Sequence, residues 1–360
     1  MTPSQRLQAQ IDALLKDQAP RIRDAFLQAI QDAKSVVRIE DVVALLSQGD
    51  VEGAARLLEI DRLLLAPLDQ AISDVYMHSG AVAMQAIVET APKAMRLVAR
   101  FDGRNPVAES WLRDHSSTLV TEIVSDQREG IRDALRAGME AGRNPRGVAL
   151  DVVGRVDKVA KRRVGGLLGL TSQQMRFVAN ARAELLSGDP AQMRAYLERK
   201  LRDRRLDGIV KRAIKDGKPV AAKDVERLMG RYSDRLLAYR GTVIARTEAL
   251  ESFANARWEA TRQLIENGTI QEQHVTKVWS ATLDKRTRDS HVALNGKKAE
   301  MREAFVSPLT GARMLFPMDR SMGAPASELI SCRCFCTYKI SWIWVKTGLA
   351  PTARELEQQS

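Results

Sequence analysis

The sequence predicts an α+β protein that is predominantly α: a helical N-terminal region followed by a small mixed α/β module at the C-terminal end. Three observations lead there. Aromatic residues make up only 5% of the 360-residue chain while apolar residues reach 44%, and alanine and leucine carry most of the apolar positions, which favours helices over sandwiches or barrels. Apolar side chains recur at helical spacing through most of the first 238 residues. After Gly268 the period shortens towards two, and all three cysteines fall in that last stretch. The chain divides accordingly into a helical region (1–147), a basic helical region (148–238), the mixed module (239–345) and a polar, charged tail (346–360) expected to be mobile.

Each element has its own signal. Leu7, Ile11, Leu14 and Leu15, then Ile22, Phe26, Leu27 and Ile30, predict two helices with Pro20 between them. The pattern continues over 41–46 and 51–65, broken at Gly49 and ended at Pro67. The run 75–88 is apolar nearly all round, the mark of a helix buried in its own domain or against a partner. Gly-Arg-Asn-Pro occurs twice, at 103–106 and 142–145, and each copy places Pro where a helix must restart. Between them, 111–141 has the periodicity of one long amphipathic helix, with Leu112, Leu119, Ile123, Ile131 and Leu135 near one stripe.

Charge is unevenly spread. The formal net charge is +11, yet residues 1–60 hold 7 Lys and Arg against 9 Asp and Glu. At 155–163 the spacing of Arg155, Lys158 and Arg162 gathers cations on one face if the segment is helical. Arg194 to Lys215 carries nine cations against three anions. Arg199, Lys200, Arg202, Arg204, Arg205, Lys211, Arg212 and Lys215 are therefore the candidate nucleic-acid contacts; a solvated or protein-contacting face is the alternative, because charge alone names no partner. No N-terminal stretch has the order of a signal peptide. The run 75–88 is too short to span a bilayer, so no membrane role is expected. Three cysteines within five positions do not make a disulfide framework.

In the module, a helix is expected from 240 to 267 with Gly268 as its left-handed cap, carrying Ala245-Arg246-Thr247-Glu248 at its start. Residues 274–281, with Val275, Val278 and Trp279, suit a strand. Asp284 can cap a short helix holding Arg288 and His291, and Asn295-Gly296 turns the chain. Phe305 to Phe316 reads as two short strands joined through 307–311. At 332–344, Cys332, Cys334, Cys336, Tyr338, Ile340, Trp342 and Trp344 alternate, so in a continuous strand all seven face one side. Neighbouring cysteines in that strand stand ~6.6–6.8 Å apart at Cα, the far limit for a disulfide. Thiolates converging on a metal with one histidine are feasible. His291 with Cys332, Cys334 and either Cys336 or Asp319 is the candidate site, zinc the candidate cofactor, and free half-buried thiols the alternative. No Gly-rich approach to a cysteine, phosphate loop or paired-carboxylate motif appears, so no catalytic residue is assigned and enzyme activity is not expected.

The ordered set Ala245-Arg246-Thr247-Glu248, Trp279, Asp284 with Thr287 and Arg288, His291, Leu294-Asn295-Gly296, Pro317-Met318-Asp319 and Cys332-Arg333-Cys334 resembles the C-terminal domain of the phage Mu protein F-like head morphogenesis family. Asn295 stands where that family usually has Asp, Ser331 where it usually has Asn, and Cys336 is additional. Thr171 with Gln173 and Gln174, opening a helix through Leu185, is similar to the region that often precedes the domain. The resemblance implies a minor head protein of a tailed phage or prophage, made in the host cytoplasm and carried in the virion head. It implies portal, capsid or scaffold proteins as partners and a part in DNA packaging or exit. A metal-dependent enzyme built on His291, Asp319 and the cysteines, and a free-standing non-specific DNA-binding protein, are the alternatives.

Overall fold

The computed structural model describes residues 3–347; the tail assigned to 346–360 lies, from 348 onward, outside them. In chain order the helices are α1 (Pro3–Asp17), α2 (Ala19–Val36), α3 (Ile39–Ser47), α4 (Val51–Leu57), α5 (Ala66–Thr90), α6 (Pro106–Glu140) and α7 (Pro145–Val153). A hairpin follows, β1 (Arg155–Asp157) and β2 (Arg162–Val164), then α8 (Ser172–Leu186), α9 (Pro190–Glu198), α10 (Asp207–Asp216) and α11 (Ala222–Glu266). The remainder is mixed: β3 (Val275–Ser280), α12 (Asp289–Val292), β4 (Lys298–Glu300), β5 (Phe305–Val306), β6 (Arg313–Met314), α13 (Ala326–Leu329), β7 (Phe335–Ile340) and α14 (Trp342–Thr347). The architecture is thus predominantly helical with small antiparallel sheets, as the composition predicts. Among the described residues no helix is long and apolar enough to cross a membrane.

Two compact units are present, and they interleave in sequence. One comprises Met1–Ile22, Gln70–Asp114 and Val243–Ser360; the other comprises Arg23–Asp69 and His115–Thr242. The composition-based divisions at 147 and 238 are not the borders of these units. The helices α2, α5, α6 and α11 contribute residues to both, and a continuous helix offers composition nothing to mark such a border.

The helical unit, 23–69 with 115–242, has one aliphatic core. Val42, Leu46, Ile131, Leu135, Val152, Leu170, Leu185 and Val210 are buried together in it. Its helices start where side chains supply the missing acceptors. Asn144 Oδ1 accepts from Arg146 N at 2.9 Å with Pro145 at the first helical position, and Thr171 and Gln174 form a capping box; caps of this kind contribute about 1 kcal/mol each. The segment 155–163, expected to be helical, is the β1–β2 hairpin instead. Asp157 Oδ1 accepts from Val159 N and Ala160 N at 2.8 and 2.9 Å, holding the turn and spreading Arg155, Lys158 and Arg162 over two strands. Gly165 closes the hairpin at φ +69°, so near α11 that a Cβ there would lie 2.8 Å from Gly230 Cα.

The mixed unit packs α5 and α11 segments with the sheet. Ala83 and Met84 of α5, Ala260 and Leu264 of α11, and Ile270, Val275 and Met301 form one cluster; Tyr76, Ala108 and Ala256 form another. The apolar 75–88 run is therefore largely consumed inside its own unit. Gly80 lets Phe101 lie against the helix, since a Cβ would fall 2.3 Å from that ring, and Tyr76 stacks on Trp111 at 4.9 Å. Pro67, expected to end a helix, lies in the first turn of α5, where its missing N–H costs nothing.

The sheet order is β4-β3-β7, antiparallel throughout, with Trp279 opposite Cys336. The β5–β6 hairpin closes through Ser307 N donating to the Ala312 carbonyl at 2.9 Å. Two expectations need correction here. The Ala245-Arg246-Thr247-Glu248 signature lies inside the 45-residue α11 rather than at a helix start, because no proline interrupts 222–266. The alternation from 332 to 344 is not one strand: β7 runs only Phe335–Ile340, and Trp342 and Trp344 belong to α14. Ser331, at φ +59°, bends the chain before Cys332, so Cys332 and Cys334 lie before the ladder and only Cys336, Tyr338 and Ile340 share its face.

Candidate metal centre

The one-turn helix α12 presents His291 from beneath β3. Its start is fixed by the Arg288 carbonyl, which accepts from His291 N at 3.0 Å and Val292 N at 2.9 Å, while Arg288 Nη2 donates to the Ile330 carbonyl at 2.5 Å. Trp279, wholly buried, meets the His291 ring edge-on at 5.4 Å and Phe305 at 5.3 Å. On the other side the chain leaves α13 and turns at Ser331, whose N–H donates to Thr247 Oγ1 at 3.3 Å. That turn brings two sulfurs to one ring nitrogen: Cys332 Sγ and Cys334 Sγ each lie 3.4 Å from His291 Nδ1.

These three donor atoms lie within 4.8 Å of one another, and all three residues are buried. Zinc–sulfur and zinc–nitrogen bonds of usual length set a tetrahedral N···S edge of ~3.6 Å, close to the two 3.4 Å separations present. The far side of the imidazole is also occupied. Glu328 Oε2, buried on α13, sits 2.8 Å from Nε2 and accepts from Ser290 Oγ at 2.9 Å. The carboxylate stands beside Nε2 without completing a hydrogen bond to it, while Nδ1 faces the two sulfurs; closing that bond would give the carboxylate–histidine arrangement that metal ligands use. The hydrogen bond with Cys332, with His291 beside it, draws the Cys334 thiol down to about 5 against the effect of burial. Hydrogen bonding to Cys334 and burial push Cys332 up. The opposite directions at the two sulfurs favour ionisation of Cys334 over Cys332, and the thiolate is the form that binds a metal.

Asp319 and Cys336 are not brought to this cluster. Asp319 holds its own turn, its Oδ2 accepting from Leu315 N at 2.8 Å and its Oδ1 from Ser321 N at 2.9 Å. Cys336 lies on β7 near Lys277, Arg257 and Tyr338, and burial pushes its thiol up to about 12. Among the described residues, no His, Cys, Asp or Glu joins His291, Cys332 and Cys334 as a fourth donor within that distance. Sequence reasoning missed Glu328; its only signal was an acid four residues before Cys332 in an otherwise apolar and small segment.

The remaining motif residues build the frame around the cluster. Asp284 pairs with both arms of Arg333 and accepts from Arg286 N at 2.8 Å, which holds its carboxyl well below the ordinary range; it caps that turn rather than α12. Asn295 Oδ1 accepts from Ala281 N at 2.9 Å, and Gly296, at φ +77°, donates its N–H to the Trp279 carbonyl at 2.8 Å. An amide suffices at 295, where the role is to accept a backbone hydrogen bond. Glu248 is buried on α11, with Arg320 Nη2 at 4.0 Å; the same Arg320 donates through Nε to Glu251 at 2.8 Å. The segment after Pro317 is thereby tied to the helix of the first motif. Arg246, half-buried, has its pKa lowered by burial and by the neighbouring Arg333 and Arg286.

The basic stretch is partly spent within its own unit. Arg199 pairs with Glu184 through two bonds of 2.9 and 2.6 Å, Arg202 with Asp207 through two of 3.0 Å, and Arg205 with Asp203. Lys200, Arg204, Lys211, Arg212 and Lys215 are exposed.

Residues 205–337 match the family model described as Phage Mu protein F like protein. No curated protein and no solved structure matches the chain. The matched span runs from the middle of the basic stretch through α11 into β7 and takes in the whole frame just described, from Arg246 to Cys334. Over residues 205–337 the chain is therefore similar to the Phage Mu protein F like family.

Proposed function

We propose that this protein is a minor head component of a tailed phage or prophage, acting in head morphogenesis rather than in catalysis. The observation that carries this is the family match over 205–337, coinciding with the segment in which the ordered motif residues contact one another. In this reading the protein is made in the host cytoplasm and carried in the virion head, where it meets portal, capsid or scaffold proteins. The exposed cations of the α9–α10 stretch support sequence-independent DNA contact as a secondary role.

His291, Cys332 and Cys334 would hold zinc as a staple for the module. Burial of all three donors supports a structural ion, while the three-ligand set leaves one tetrahedral position to a non-protein ligand such as water. Purified particles test the main reading: mass spectrometry should find this protein at a few copies per head, and particles grown without it should show defective heads or packaging. Its absence from purified heads would overturn the proposal.

A further inference from the structure

The helical unit holds a cleft of about 840 Å³ lined by α6, α7, α8, α11 and the β1–β2 hairpin, within the size range of ligand sites. Its floor is aliphatic and small: Ala134 and Ala137 on α6, Val152 on α7, Val178 and Ala179 on α8, Met229 on α11. No aromatic residue lines it. Most of its lining lies before residue 205, outside the matched span, with the α11 residues from Lys223 to Asp234 inside it.

The polar lining is not balanced. Seven Arg and Lys side chains stand there against five Asp and Glu. At the centre one carboxylate, Asp151, serves three guanidiniums: Arg182 at 2.8 Å, Arg155 at 3.3 Å, and Arg143. Only Arg155 has a second carboxylate, Glu226 at 3.1 Å. Each guanidinium carries five donors in a planar fork, so one carboxylate among three leaves N–H groups and positive charge unused. Two of the acids are committed elsewhere, Asp157 to its own turn and Asp234 to Gly165 N at 2.7 Å.

We propose that this cleft is a docking site for a segment of a partner protein that presents aliphatic side chains flanked by Asp or Glu. The aliphatic side chains would fill the floor, and the carboxylates would take the spare donors of the arginine cluster and of Arg176, Arg227 and Arg231 at the margin. Charge complementarity selects an acidic segment. Single-stranded nucleic acid fits less well, because its bases need aromatic faces to stack on and the cleft offers an aliphatic floor instead.

Selection tests this. A random library of 12-residue peptides is selected on the full-length protein and counter-selected on Ala179→Trp, a change at an exposed position that fills the floor. Arg176→Glu serves as a second, charge-reversed variant, and circular dichroism checks that both fold. Enriched peptides are expected to place Asp or Glu beside Leu, Ile or Met. They should bind at least tenfold more weakly to Ala179→Trp, about fivefold more weakly to Arg176→Glu, and progressively more weakly as salt rises. No enrichment that depends on the open floor, or enrichment of basic peptides, would overturn the proposal. It would equally fall if a 20-nucleotide oligothymidylate displaced the peptides and bound Ala179→Trp as tightly as the parent, which would mark a nucleic-acid face.

Discussion

The two compact units are held by different means. In the helical unit the interior is mainly aliphatic, from Val42 and Leu46 to Leu185 and Val210, with Lys34 and Asp203 among its few buried charges, and its stability rests mostly on area removed from water and on helix caps. In the mixed unit, ionisable groups are buried beside the apolar clusters: Lys277, Glu248, Glu251, Glu259, His291, Asp319 and Glu328 are each less than 5% exposed. Several are tied to backbone or to side chains from distant segments: Lys277 to the Glu303 and Leu315 carbonyls, Glu251 to Arg320, and Glu328 to Ser290. A unit built this way is specified by partners far apart in sequence, and a lost partner leaves a buried polar group unsatisfied. The helical unit should yield gradually to substitution, the mixed unit abruptly.

The largest test of that contrast is a pair of truncations. Trp279→Ala removes the ring that both His291 and Phe305 pack on and should cost ~3–5 kcal/mol, seen in denaturant unfolding, with hydrogen-exchange protection lost across β3 and β7 together. Leu185→Ala in the helical unit should cost ~2–5 kcal/mol while leaving protection in those strands intact. Equal loss of protection in β3 and β7 from both changes would remove the distinction.

How much was legible follows the same divide. The helices announced themselves through periodicity and through the two Asn-Pro starts at 105–106 and 144–145. The strand β3 and the β5–β6 hairpin were readable from alternation and from the loop with Gly311. The stop of β7 at Ile340 was not, because alternation continues past it while Ser341 N donates to the His274 carbonyl and the chain turns into α14. The hairpin at 155–164 was hidden because its cation spacing also fits a helix; the turn made by Asp157 decides it. At the candidate centre, His291, Cys332 and Cys334 lie together, as the sequence grouped them, whereas Asp319, Cys336 and Glu328 could be sorted only by contacts between distant segments. Interleaving of the units has no local signature at all.

A pH series compares the units more gently. Each buries one lysine whose pKa falls to about 8: Lys34, whose Nζ donates to the Gly165 carbonyl, and Lys277, which donates to the Glu303 and Leu315 carbonyls. Burial is the main cause in both. A folded pKa below the unfolded value means that the unfolded chain binds more protons between about pH 8 and 10.5. Each lysine therefore makes the protein more stable as pH rises through that window, by on the order of 1–3 kcal/mol in total. Lys34→Met and Lys277→Met should each flatten the measured slope; an unchanged slope in both would contradict the assignment.

The smallest effect sharpens the account of the turn before the cysteines. Ser331 sits at φ +59°, a conformation that Asn adopts more readily than other residues bearing a β-carbon. Ser331→Asn should therefore stabilise the mixed unit by about 0.5 kcal/mol, read as a small rise in Tm, and a fall in Tm would mean that the Ser331 hydroxyl matters more than the backbone.

The most direct test of the central claim is the metal content of the purified, tag-free protein, measured beside His291→Ala, Cys332→Ser and Glu328→Gln. The account predicts close to one zinc per chain, lost in the first two variants together with a fall in Tm, and retained more weakly in the third by ~10–100-fold. A parent protein without metal, and variants that melt as it does, would contradict it and leave His291, Cys332 and Cys334 as packed side chains of the module.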